Sequence, residues 1–341
     1  MILAQTSVVI AAAELRDLAV GALRAVAAPQ ANATVQADLL IEAELRGLPS
    51  HGMQRLPRLV ARVRAGLADA SATGDARRTA SGALAIDGRR GLGPVVMMRA
   101  LESLAEDVPG RGIAFAAIRN SNHIGMLAYY AEAAVARGLI GIVVTTSEAL
   151  VHPFGGTEAM LGTNPIAIGI PTGDAPFILD LATSRVSMGR IHHHALTGTA
   201  IPDDWAVDAD GRRTTDPDAA KRGAIAPFGG AKGYGLGLAV ELLVAALAGS
   251  AFAPEVGGTL DDTEVANKGD LLILIDPDAG TGSTGGLAPY LHRLRASRPE
   301  DPARPVAVPG DGMRARRARA LAEGIALPAP LHDQIRALAG A

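Results

Sequence analysis

An α/β fold is predicted for this chain, and three observations predict it. Residues 12–67 carry apolar positions at helical spacing. From residue 82 onward, short apolar runs alternate with helical segments. From about residue 314 the tail returns to a helical pattern with arginines on one side. At 341 residues, 48% hydrophobic and 20% charged, the composition is globular and the length suits two domains. The divisions expected are 1–75 as a helical first part, 76–298 as the catalytic part, and 299–341 as a helical return to the first.

The elements follow in order. Val35, Leu39 and Ala43 share a helical face, with Asn32 or Thr34 as a cap and Gly47 just beyond the end. Met53, Leu56, Leu59, Val60, Val63 and Leu67 mark a second helix. The small, polar stretch 68–81 reads as a linker. Strands are expected at 83–86 and 112–118, with a helix between them from Pro94, since proline suits a first turn. A helix at 126–137 and strands at 139–145, 166–170 and 177–181 follow. Asp208-Ala209-Asp210-Gly211 signals a turn. Residues 236–247 form an apolar helix and 271–275 a strand, and the Gly/Asp/Thr-rich stretch 276–286 reads as a loop.

Several function classes drop out. Net charge is −3 and aromatics are 3%, so neither a polyanion-binding surface nor a base-stacking platform is expected, and nucleic acid is not a partner. There is no cysteine, which excludes disulfides, thiolate metal sites and a cysteine nucleophile. The apolar stretch within residues 1–13 lacks a preceding basic region and is too short to span a membrane. A cytoplasmic protein without a membrane partner is the expectation.

Polar islands break the apolar background where loops should leave the scaffold. In Ser50-His51-Gly52, Ser50 is placed as an N-cap and His51 in the first helical turn. Arg55 lies four residues on, on the same face. Guanidinium beside imidazole suits a 2-hydroxy or 2-keto carboxylate: Arg grips the carboxylate and His exchanges a proton with the adjacent oxygen. The plainer reading makes His51 a helix-start residue and Arg55 one of four solvated arginines with Arg58, Arg62 and Arg64.

A second island, Asn120-Ser121-Asn122-His123-Ile124-Gly125, follows a strand and opens a helix. Strand-end loops of this kind bind ligands in α/β sheets. A helix N-terminus would favour neutral His123, as a general base requires; the alternative is a loop of turn formers. Pro153-Phe154-Gly155-Gly156 and Gly162-Thr163-Asn164-Pro165 are weaker, being explicable as turns.

Lys232-Gly233-Tyr234-Gly235 opens a helix and forms an anion cradle. No convincing strand precedes it and no acidic residue follows at the usual spacing, so a Rossmann turn is disfavoured. His192-His193-His194 invites a metal reading, but three consecutive residues do not converge on one ion without a sharp turn. A solvated cluster is favoured and no metal site is assigned.

Taken in register, these islands resemble the malate/L-lactate dehydrogenase-like family of NAD(P)-dependent oxidoreductases. The resemblance extends from Glu44-Leu45-Arg46-Gly47 through Asp87-Gly88, Asp180-Leu181-Ala182-Thr183-Ser184 and Trp205-Ala206-Val207-Asp208 to Pro309-Gly310. It implies a non-Rossmann α/β fold: a largely antiparallel central sheet flanked by helices, with a helical domain built from both chain ends. It also implies a homodimer or larger homo-oligomer, and NAD or NADP as cofactor.

By that resemblance, cofactor contacts fall at Ser147, Asp180, Leu181, Ala182, Lys232, Gly233, Gly310, Asp311 and Gly312. His51 or His123 is the proton-transfer residue, and Asp180 tunes whichever histidine it approaches. The small carboxylate substrate meets Ser50, Arg55, Thr163 and Asn164. Glu148 is the candidate to face the adenosine ribose. Leu59 stands where the family usually has an aromatic, and the histidine triplet is not a family feature. The expected reaction is hydride transfer between nicotinamide and C2 of a 2-hydroxy or 2-keto acid. Reduction of a cyclic imine carboxylate, and a metal-dependent hydrolase or binding protein using the triplet, stand as alternatives.

Overall fold

The structure is a computed structural model that describes residues 7–259, 261–282 and 284–341. Part of the N-terminal apolar stretch (residues 1–6) and part of the predicted 276–286 loop (Ser283) lie outside the described residues.

The chain begins with β1 (Ser7–Ile10), α1 (Ala12–Arg24) and α2 (Gln30–Leu45). Two 3-10 turns, Pro49–His51 and Met53–Arg55, lead into α3 (Leu56–Arg64). Next come β2 (Asp75–Arg78), β3 (Leu84–Asp87), α4 (Gly93–Arg111), β4 (Ile113–Arg119), α5 (Ala128–Val135) and β5 (Ile140–Thr145). Then β6 (Ile166–Ile170), β7 (Phe177–Leu181), α6 (Met188–Thr197), β8 (Ala206–Val207), α7 (Pro217–Ala220) and β9 (Ala224–Ile225) follow. The chain closes with α8 (Ala231–Ala248), β10 (Gly269–Ile275), α9 (Leu287–Arg295), α10 (Asp311–Glu323), β11 (Ile325–Pro328) and α11 (Ala329–Ala339).

Seven strands form the central sheet in the order β2-β3-β4-β10-β5-β6-β7. Among the described residues only β3 and β4 pair in parallel, so the sheet is largely antiparallel, as expected. Its middle strand, β10, reads Gly-Asp-Leu-Leu-Ile-Leu-Ile because both faces are covered. Leu272 and Leu274 join α4 and the N-terminal helices in one core. Leu271, pointing the other way, packs with Val240 and Val244 of α8. Each such burial stabilises by roughly 1.5–3 kcal/mol.

The two chain ends meet. β1 pairs antiparallel with β11, and α1 packs on α2 and α11. That helical part shares a continuous core with the sheet, Leu15, Leu23 and Leu39 lying in the same cluster as Ile118 and Leu272. The 68–81 linker contains β2, an edge strand of charged residues that the periodicity did not reveal.

Register sets the position of the functional loops. Arg119 at the end of β4 faces Gly269 at the start of β10. Asp270 faces Thr145 at the end of β5, and Ile166 at the start of β6 faces Leu181 at the end of β7. The loops after β4, β5 and β7 and those before β10 and β6 therefore leave one end of the sheet.

Candidate active site

The Ser-His-Gly segment does not open a helix as the sequence predicts. Gly52, at φ −97° and ψ −140°, separates the two 3-10 turns, and Ser50 caps nothing. Its Oγ instead lies 3.1 Å from His51 Nδ1. A carboxylate beneath the turn explains the glycine: a Cβ on Gly52 would lie 2.4 Å from Glu44 Oε1, which accepts the Met53 N–H at 2.7 Å. Burial pushes the Glu44 carboxyl up to about 7, against that hydrogen bond. Arg55 folds back on the same turn, its Nε donating to Ser50 O (2.7 Å) and Nη1 to Thr259 O (3.2 Å).

His123 also departs from expectation. It lies in an irregular loop, five residues before α5, so no helix field acts on it at close range. Its neutrality has another origin. Burial, then the Arg55 charge, then His51 and Lys268 hold its pKa well below the ordinary value. The Gly125 N–H donates to His123 Nδ1 at 3.1 Å, so a neutral ring carries its proton on Nε2. The loop is packed hard against the start of α4, where a Cβ on Gly93 would meet Asn122 O and His123 O at 2.4 Å.

The two imidazoles converge. Their ring centroids are 5.7 Å apart with the planes inclined by 28°. Burial and Arg55 push His51 down to about 4. Both rings line a small cleft, open to solvent, with Arg55, Arg58, Arg62, Gln36 and Thr259. Desolvation, with Arg58 adding to it, brings Arg55 down to about 10, while Glu148 opposes that shift.

Arg62 was expected among solvated arginines and is not one of them. It is buried, donating from Nε and Nη2 to Asn122 Oδ1 (3.2 and 3.1 Å) and from Nη1 to Asp261 O (2.8 Å) and Glu264 O (3.0 Å). Its helical spacing from Arg55 and Arg58 was the available signal.

The remaining predicted residues lie elsewhere. Asp180 hydrogen bonds to neither imidazole. Its Oδ2 accepts the Ala128 N–H (2.8 Å) at the start of α5, and burial brings it up to about 6. Thr163 and Asn164 sit apart from the cleft lining: the Thr163 N–H donates to Ser147 Oγ (3.1 Å), and buried Asn164 donates to Gly237 O and Glu241 Oε2 on α8. Glu148, the ribose candidate, accepts from the backbone N–H (2.7 Å) and the hydroxyl of Thr259, placing it behind that cleft-lining residue and near enough to act on the Arg55 charge.

Thr163 O also accepts from Thr183, whose own carbonyl accepts the Phe228 N–H. This chain of contacts joins Ser147 and the end of β7 to the start of α8. There Gly229 and Gly230 adopt φ of 57° and 62°, α8 has no side-chain cap, and Lys232 is exposed. Open backbone N–H groups beside an ammonium are a donor set that fits a pyrophosphate. Gly310-Asp311-Gly312 lies against Ile178 of β7. The Asp311 carboxylate is held low chiefly by Arg295, and it also binds Arg314.

The histidine triplet lies on α6. His194 packs edge-on against Trp205 with centroids 5.3 Å apart, and its Nδ1 lies 3.0 Å from Ala200 O. The His193 and His194 rings stand perpendicular, and among the described residues no three metal-ligating side chains converge.

The profile of the malate/L-lactate dehydrogenase family matches residues 10–336. A dehydrogenase from Sinorhizobium meliloti of known structure is 63% identical and superposes with a TM-score of 0.95, covering 98% of this chain and 99% of that one. The (2R)-3-sulfolactate dehydrogenase (NADP(+)) of Chromohalobacter salexigens is 36% identical over 96% of both chains. The Delta(1)-pyrroline-2-carboxylate reductase 1 of Burkholderia ambifaria is 37% identical over 97% of both. The paired histidines, the arginine-lined cleft and the antiparallel sheet thus sit in a chain that belongs to the malate/L-lactate dehydrogenase family of NAD(P)-dependent oxidoreductases.

Proposed function

We propose that this enzyme interconverts a small 2-hydroxy acid and its 2-keto acid, with His51 as acid–base and His123 as hydrogen-bond donor. One observation carries the division of roles: the Gly125 N–H occupies His123 Nδ1. Neutral His123 then presents Nε2–H and has no lone pair for a substrate proton. His51 Nδ1 lies 3.1 Å from Ser50 Oγ; with that hydroxyl as acceptor the ring carries its proton on Nδ1, presents a bare Nε2 and is the base.

A bound nicotinamide would supply the hydride chemistry at C2 of the substrate. His51 takes the hydroxyl proton in oxidation and returns it in reduction. His123 Nε2–H holds the same oxygen and stabilises charge as it develops. Arg55 binds the carboxylate with the guanidinium edge not used on Ser50 O and Thr259 O. Arg58, exposed at the same cleft, favours a substrate with a second anionic group. The cofactor is proposed to run from the histidines past Ser147, Thr163, Leu181 and Ala182 to Lys232 and Gly233. The exposed Phe154 ring beside Gly230 is a flat surface on that path.

The cyclic imine reading keeps one support, the pyrroline-carboxylate reductase relative. A panel of 2-hydroxy acids, keto acids and cyclic imine carboxylates with each cofactor, followed by absorbance of the reduced nicotinamide, tests the proposal. Turnover of dianionic hydroxy acids above monoanionic ones is expected. Turnover of cyclic imines alone contradicts it.

The exposed Leu242, Leu243 and Leu247 of α8, with Phe252 beyond its end, form the face on which a second copy is proposed to pack. α8 is also, among the described residues, the one helix long and apolar enough to cross a bilayer, and its inner side packs on β4, β5 and β10. A cytoplasmic location is part of the same proposal.

A further inference from the structure

Lys268 and Asp270 flank Gly269 at the start of β10, in the middle of the sheet. Their side chains are 1% and 0% exposed and form an ion pair at 2.5 Å. A buried pair persists only if its remaining bonding capacity is met. Here Asp270 Oδ2 accepts from Ser121 Oγ (2.9 Å), and Oδ1 accepts from Thr145 Oγ1 (2.6 Å). Lys268 Nζ also reaches Ser121 Oγ at 3.5 Å. Ser121 stands two residues before His123, and its hydroxyl is the link between the pair and the histidine loop.

The loop is held from its other side as well. Asn122 receives both Arg62 donors and gives its own amide to Arg90 O (2.6 Å) and Gly91 O (3.0 Å). Arg62 is a side chain of the cleft, whereas the Lys268–Asp270 pair lies behind it and does not line it.

We propose that Lys268 and Asp270 are positioning residues for His123: the pair fixes Ser121, and with it the loop, and sets the ammonium end of its dipole toward the imidazole. This rests on the role of His123 in the proposed function. The groups that act on that ring are Arg55 and His51 from the 3-10 turns and Lys268 just before β10, with Arg58 and Arg62 of α3 on the cleft wall. Asp270 is turned toward Ser121 and Thr145, so the pair presents its positive end. Its effect adds to that of Arg55 and keeps the ring an uncharged Nε2–H donor.

Two double substitutions separate position from charge, because removing one partner alone strands the other. Lys268→Gln/Asp270→Asn retains hydrogen bonding to Ser121 without charge. Lys268→Met/Asp270→Asn loses the lysine-side bond as well. His123→Asn is the control. Imidazole NMR of His123 across pH, oxidation kinetics, cofactor binding and thermal melting are the readouts.

Both double variants are expected to raise the pH at which the His123 ring protonates by about one pH unit, read from its imidazole NMR signals, the effect of removing a nearby like charge from a histidine. The methionine variant is also expected to lose about 10–100-fold in kcat, with cofactor binding kept, as for a misplaced catalytic group. If His123→Asn is crippled while the folded double variants keep the wild-type His123 titration and kcat, the positioning role is refuted. If His123→Asn is itself as active as wild type, the reading of His123 fails instead. Should the methionine variant not fold, the His123 titration of the glutamine variant decides alone.

Discussion

Arg55 carries charge beside two half-buried imidazoles, and that has a kinetic consequence. In the free enzyme, burial and this guanidinium hold His51 at about 4. A bound carboxylate neutralises Arg55 and removes part of the depression, so the base becomes stronger once substrate is present. The acid limb of kcat, which reports the complex, should therefore lie at higher pH than that of kcat/KM, which reports the free enzyme. Steady-state oxidation kinetics from pH 4 to 9 check this; coincident limbs would show that Arg55 does not meet the carboxylate.

Glu44 offers a stability test at the same scale. Its carboxyl is near 7 when folded and ordinary when unfolded, so the folded state holds an extra proton between pH ~4.5 and ~7. Stability falls as pH rises through that window. Glu44→Gln, which keeps an acceptor for the Met53 N–H, should gain roughly 2–3 kcal/mol over wild type at pH 8 and little at pH 4. Urea denaturation at the two pH values measures it, and an equal difference at both would remove Glu44 from the account.

Among the elements, the close fit of the His123 loop on the start of α4 is predicted to govern activity. Gly93→Ala forces a methyl group into Asn122 O and His123 O. A displacement of that order should lower kcat/KM by ~10²-fold while cofactor binding is kept; unchanged kinetics in the folded variant would show that the loop tolerates displacement.

Elements whose pattern is local were legible. Strands β6 and β7 match the predicted 166–170 and 177–181 because short apolar runs end at Pro165 and at the Thr172–Asp174 turn. β1 and β11 were not legible, since their pairing joins segments at opposite ends of the chain. The 3-10 turns at His51 were missed because helical periodicity hides the break that Glu44 imposes through Gly52. Lys268 and Asp270 escaped notice because the predicted strand 271–275 stops short of them, and charged residues just before a strand read as solvent-facing. Only the sheet's cover on both sides shows them buried.

For the molecule as a whole, the exposed leucines of α8 make the most direct prediction. Light scattering should find a dimer or larger assembly, and Leu242→Glu with Leu247→Glu should shift it to monomer without unfolding it. A wild-type monomer, or a doubly substituted chain that stays assembled, would place the interface elsewhere or remove it. The convergence of His51, Arg55 and His123 was readable as chemistry, since their residue types suit a hydroxy acid. Their meeting depended on the sheet register and the return of the helical part, which no local pattern records.

The most direct test of the central claim compares His51→Asn and His123→Asn in oxidation of a 2-hydroxy acid, using single-turnover absorbance of reduced nicotinamide. The account predicts a loss of ~10²–10⁴-fold in the chemical step for His51→Asn, with the pH dependence of the base abolished. His123→Asn should lose less and keep that dependence. A His51→Asn enzyme that retains the wild-type rate and pH profile would contradict it.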